Sequence, residues 1–210
     1  MKQRSCFSKA TIYIVALIVF LPASVAYAHV GAPFEHAYYD VLYGMEVTLG
    51  VGSVLLLMAA TGLLIANRKT VYLVLPIPVL FIGAILGATL GALAWLPADM
   101  PAYIATISIG LLVAASPTLK KWQLMALVSL AAATMANVMF MGSDWRLIPI
   151  SVYMGVVIVL LLGTMTIYMS VWLSRELLQY PWVDIAWRAI ASWLVAIAVI
   201  MIALSVTGNT

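Results

Sequence analysis

Charge is scarce in this chain: Asp, Glu, Lys and Arg make up 8% of its 210 residues, against roughly a quarter of a soluble domain. Hydrophobic residues make up 66%, more than a soluble fold of this length can bury, so most of the surface must face lipid. Cysteine is nearly absent too. Cys6 is the single one and lies near the start, which removes disulfides, thiolate metal sites and cysteine nucleophiles from consideration. Only two histidines occur, His29 and His36. Neither falls within an apolar run long enough to cross a bilayer, so no histidine is placed to ligate a haem there. The chain has no phosphate-binding glycine loop, no paired-cysteine motif and no arguable Ser-His-Asp arrangement, and it is not expected to be an enzyme.

The first 28 residues have the three parts of an export signal. Lys2, Arg4 and Lys9 precede an apolar stretch from Ala10 to Leu21, and Ala26-Tyr27-Ala28 forms a small-x-small cleavage site. Cleavage would leave His29 as the amino terminus. Without the signal, seven basic residues face seven acidic ones. That neutral balance gives no reason to expect nucleic acid as a partner, and no nucleotide is expected either.

Six further apolar segments follow, approximately Gly44 to Ala66, Val71 to Leu96, Ala102 to Ala115, Trp122 to Phe140, Ile148 to Leu173 and Ile185 to Val206. Most reach the roughly 20 residues that the hydrocarbon layer demands of a helix. Pro76 and Pro78 are expected to kink the inner half of the second. The fold expected is an all-α integral membrane protein: a cleavable signal peptide, residues 1–28, then a six-helix transmembrane bundle, residues 29–210. Loop charge sets its orientation. Arg68, Lys69, Lys120, Lys121, Arg175 and Arg188 stand against Glu176 and Asp184 on one side, a net of +4. Glu35, Asp40, Glu46, Asp99 and Asp144 stand against Arg146 on the other, a net of −4. The basic side is expected to be cytoplasmic, with both mature ends in the periplasm of a bacterial-type inner membrane. The acidic face would gather cations.

Glycines recur every four residues at Gly83, Gly87 and Gly91, a stripe that lets a neighbouring helix approach closely in lipid. The stretch from Arg175 to Arg188, with Tyr180, Pro181, Trp182 and Trp187, reads as an interfacial connection whose aromatic rings sit at headgroup level.

Two polar groups could carry chemistry. His29, Glu35, His36, Asp40 and Glu46 lie just before and at the start of the first helix. If that helix begins early, His36, Asp40 and Tyr43 share a face and could present nitrogen and oxygen to one cation. Glu46 already stands inside the apolar run, where an ionised carboxylate needs a partner or water. A second cluster, Met135, Asn137, Met139, Met141 and Asp144, ends the fourth helix. Asn137 and Met141 are four residues apart, on one helical face, and the amide of Asn137 needs hydrogen-bond partners. The two helix ends are expected to be neighbours around one outward-facing pocket.

The pattern resembles the HupE/UreJ family, small membrane proteins encoded with nickel hydrogenases and ureases and regarded as nickel permeases or accessory proteins. A first-helix motif of His, five residues, Asp and His aligns with Asp40 to Val47, placing Asp40, Glu46 and Val47 at the three positions. A fourth-helix motif, Phe-His-Gly-x-Ala-His-Gly-x-Glu, aligns with Ala136 to Asp144. It keeps Gly142 and the terminal acid, with Asn137 and Met141 in place of the histidines. The resemblance implies a permease that handles a divalent, nickel-type cation transiently, with Asp40, Glu46, Asn137, Met141, Asp144, His29 and His36 as its candidate ligands. The alternative is a non-transporting accessory subunit that uses its glycine stripe and interfacial segment to pack against a larger membrane enzyme. Expected partners are the lipid bilayer and a membrane protein or further copies of this chain.

Overall fold

A backbone in lipid has no water to bond, so its amides must be satisfied within helices, and helices make up nearly all of what the structure describes. The computed structural model describes residues 37–67, 76–91, 99–115, 119–141 and 148–207, all within the unit His36–Thr210. The expected signal peptide lies outside the described residues, as do His29, His36 and Asp144. Among the described residues there are seven helices and no strand: α1 Ala37–Gly50, α2 Gly52–Ala66, α3 Pro76–Gly91, α4 Met100–Ala115, α5 Lys121–Phe140, α6 Ile150–Leu178 and α7 Pro181–Thr207. Three buried hydroxyls follow the same economy. Thr48, Thr61 and Thr106 each donate to the carbonyl four residues earlier, at 2.7, 2.7 and 2.8 Å, which satisfies them without a partner helix.

Among the described residues three helices are long and apolar enough to cross a membrane: α5 with 20 residues, α6 with 29 and α7 with 27. At 1.5 Å per residue α5 alone spans about 30 Å, the hydrocarbon thickness. Helices α1 and α2 pass the same test as a pair but are bent by 83°. The first apolar segment, expected as one helix from Gly44 to Ala66, is therefore broken at Val51, whose backbone is extended. Helices α3 and α4, 16 residues each, are apolar but shorter. Among the described residues, length thus supports three spans, or four with the broken pair.

Helix α2 is the centre of the fold. Eleven of its 15 residues are buried, with α4, α5, α6 and α7 packed around it. Met58 meets Gly163, Gly62 meets Thr164 and Ile167, and Ala66 meets Arg175, so α2 and α6 run parallel. Helices α3 and α5 are also parallel, because Gly83 faces Ser129 and Ala132, Gly87 faces Ala133 and Gly91 faces Asn137 and Phe140.

The described part of α3 starts at Pro76, so the expected kink at Pro76 and Pro78 turns on residues that lie outside the described ones. One local expectation is corrected, at the connection between α6 and α7. The segment from Arg175 to Arg188 is not a long connection. Helix α6 continues to Leu178, Gln179 turns the chain with a left-handed φ of 49°, and α7 starts at Pro181. Arg175 pairs with Asp184 at 2.7 Å and Trp187 donates to Ser174 Oγ at 2.8 Å, so the polar residues that suggested a loop instead staple a tight hairpin.

Candidate functional site

Helix α1 begins at Ala37, early enough to place Asp40 and Tyr43 on helical backbone. Asp40 is half-buried and accepts a hydrogen bond from Ser151 Oγ at 2.7 Å, which ties α1 to the start of α6. The helices cross a few residues further on. A Cβ at Gly44 would strike the carbonyl of Val152, and one at Gly155 would strike the carbonyl of Val41. Only glycine at both positions permits so close a crossing.

A second carboxylate occupies an equivalent position that the sequence reading counted only as loop charge. Asp99 stands at the start of α4, where its carbonyl accepts from the amide of Tyr103 at 3.1 Å. Its side chain accepts from Ser53 Oγ, in the first turn of α2, at 2.6 Å. Because α2 runs parallel to α6, both serine–aspartate pairs lie at the end of the molecule from which α6 starts, and the Arg175–Asp184 pair lies at the other. Ser53 and Ser151 are 46 and 111 residues from their partners. No local spacing could have revealed either contact.

Glu46 is exposed on α1, with no hydrogen bond or ion pair to a described residue. The break at Val51 explains how it can be so. With α1 turned away from the direction of α2, an acid in the apolar run need not stand at hydrocarbon depth, where an unpaired carboxylate is costly. Asn137, in the last turn of α5, is half-buried and makes no side-chain hydrogen bond with a described residue. Met141 is not on the helical face of Asn137, because α5 ends at Phe140 and Met141 is extended. Met135 is fully buried in the core, as packing material.

One cavity, of about 350 Å³, is bordered by α1, the last turn of α5 and the start of α6. Its walls include Tyr43 and Val47 of α1, Met139 and Phe140 of α5, and Val152 and Val156 of α6. The lining is largely apolar, and neither Glu46 nor Asn137 belongs to it. Among the described residues no three His, Cys, Asp or Glu side chains come together in a way that could hold a metal ion.

The glycine stripe, offered above as a docking face for a larger enzyme, is occupied from within. A Cβ at Gly87 would strike the carbonyl of Ala133, and one at Gly83 the carbonyl of Ser129, so the stripe joins α3 to α5. The comparisons with known proteins add no further constraint: no family model, no curated protein and no solved structure matches this chain.

Proposed function

We propose that this chain is a multi-pass protein of a bacterial inner membrane, with its mature ends in the periplasm, that admits a divalent metal cation of nickel type from the periplasmic side. The observation that carries the reading is the set of carboxylates at one end of the helices. Among the described residues Asp40 and Asp99 are each held by one serine hydroxyl, Glu46 is exposed, and none of the three is paired with a cation. Uncompensated acids at one face draw cations toward it. The broken first span lies beside them, and interrupted helices in membrane proteins commonly border a substrate path. Hydrogen bonding to serine aims Asp40 and Asp99 without neutralising them, so both remain available to a passing cation.

A non-transporting accessory role is the second reading, and one observation favours it. Of the 27 residues of α7 only Val183, Ala191 and Ala198 are buried, leaving an apolar face that a partner helix could cover as well as lipid. Nickel uptake by cells expressing Asp40→Asn, Glu46→Gln or the double variant separates the two. Uptake should fall in the single variants and be lost in the double one, while the amount of protein in the membrane stays constant. Unchanged uptake with intact protein rejects the permease reading and leaves the accessory one.

A further inference from the structure

Ten glycines lie among the described residues, and eight of them have a packing reason to be glycine. A Cβ at Gly44, Gly62, Gly83, Gly87, Gly91, Gly110, Gly155 or Gly163 would come within 3.3 Å of a neighbouring helix. Gly50 and Gly52 are different. No described atom outside their local backbone lies within 4 Å of where a Cβ would stand at either. Glycine often closes a helix because it accepts a left-handed backbone, yet neither of these adopts one. They flank Val51, the point where the first span bends by 83°. Nothing in this conformation requires glycine at those two positions, and glycine is a poor choice beside two helices.

We propose that Gly50-Val51-Gly52 is a hinge about which α1 swings as an arm, and that this structure captures the arm seated. The contacts on either side of the break fit that division. Helix α2 is fixed, with its first turn tied to α4 through Ser53 and Asp99 and its last carbonyl bonded by Arg175. Val51 precedes α2 without a side-chain cap, so the joint is held only by its own backbone, the Val51 amide donating to the Thr48 carbonyl at 3.4 Å, and by the half-buried Val51 side chain against the core. Helix α1 is buried only at Gly44 and Thr48, and it packs mainly on α6, not on α2. Its seat consists of the Gly44–Gly155 crossing and the Asp40–Ser151 hydrogen bond. Swinging α1 outward opens the cavity wall formed by Tyr43 and Val47 and releases the carboxylate of Asp40 from Ser151. In the transport reading this motion is the gate. It rests on that reading for its purpose alone, because the motion can be measured without any cargo.

The test is a distance distribution measured on the full chain in lipid nanodiscs, with no metal present. With Cys6→Ser as background, spin labels are placed through Tyr38→Cys on α1 and Trp193→Cys on α7, positions 66% and 73% exposed. Two distance populations are expected. Ser151→Ala removes the seat's hydrogen bond and should raise the ratio of swung to seated arm about fivefold, the equivalent of one ordinary hydrogen bond. Gly50→Ala with Gly52→Ala should stiffen the joint and deplete the swung population. A single distance unmoved by Ser151→Ala overturns the hinge. So does a swung population that the two alanines leave unchanged, since the pivot would then lie elsewhere. Loss of uptake in the carboxylate variants with no second distance would sustain the permease reading and reject the arm.

Discussion

The seam between α3 and α5 and the joint between α1 and α2 are both built on glycine, and they use it in opposite ways. At the seam the side chain is missing because another backbone occupies its place: Gly83, Gly87 and Gly91 lie against successive turns of α5. At the joint it is missing with no described neighbour to exclude it. The seam gains dispersion contacts that lipid alone would not supply as closely, and so resists separation. The joint gains none. Sequence spacing distinguishes them only in part, since a repeat of four marks a helix face and Gly-x-Gly marks no face at all. A glycine's contribution is thus set by what stands opposite its absent side chain.

The comparison breaks most readily at Gly87. Valine there would drive a branched side chain into the carbonyl of Ala133, and overpacking of that kind costs about 3 kcal/mol. Gly87→Val should strongly lower the thermal midpoint of the detergent-solubilised protein. If it melts with the wild type, the seam is looser than described. A smaller effect is expected at the far end of α2, where Arg175 spans Ala66 and Asp184. The Arg175 and Asp184 side chains are 23% and 46% exposed, so the ion pair itself contributes little. Most of the loss in Arg175→Ala comes from the Ala66 carbonyl left without its donor, about 1–2 kcal/mol. Asp184→Ala should cost clearly less, as measured by chemical denaturation. Equal losses would mean that the ion pair, and not the helix end, is what Arg175 secures.

Much of the helix plan could be read from hydropathy, because a run such as Trp122 to Phe140 reports its own length: α5 is Lys121–Phe140. The reading went astray wherever a residue's partner decided its role. Charged and aromatic residues from Arg175 to Trp187 suggested a connection, yet they neutralise and bond one another across a two-residue turn. An unbroken apolar run conceals the bend at Val51, whose mark in the sequence is the pair Gly50 and Gly52. At the candidate site Asp40 was recognised, but its serine lies on another helix. Asp99 was passed over because its position, just ahead of a helix, looked like an ordinary acidic loop residue. The placing of Glu46 within the bilayer assumed a straight first helix, and the bend removes that premise.

The smallest effect should come from the joint, and it is the sharpest check on the comparison because its sign is reversed. Alanine at Gly50 meets open space and helical backbone, with no left-handed φ to forbid it. The substitution removes conformational freedom from the unfolded chain and improves helix propensity, which together are worth about 0.5–1 kcal/mol of added stability. Thermal or chemical denaturation of Gly50→Ala should therefore show a slightly more stable protein, whereas Gly87→Ala, the same change at the seam, should be destabilising. A marked loss at Gly50 would mean that a neighbour occupies the space beside it in the membrane, and the two glycine sites would then be of one kind. A gain there, combined with a shift of the arm toward its seated position, would mean that this chain gives up stability at the joint in exchange for motion.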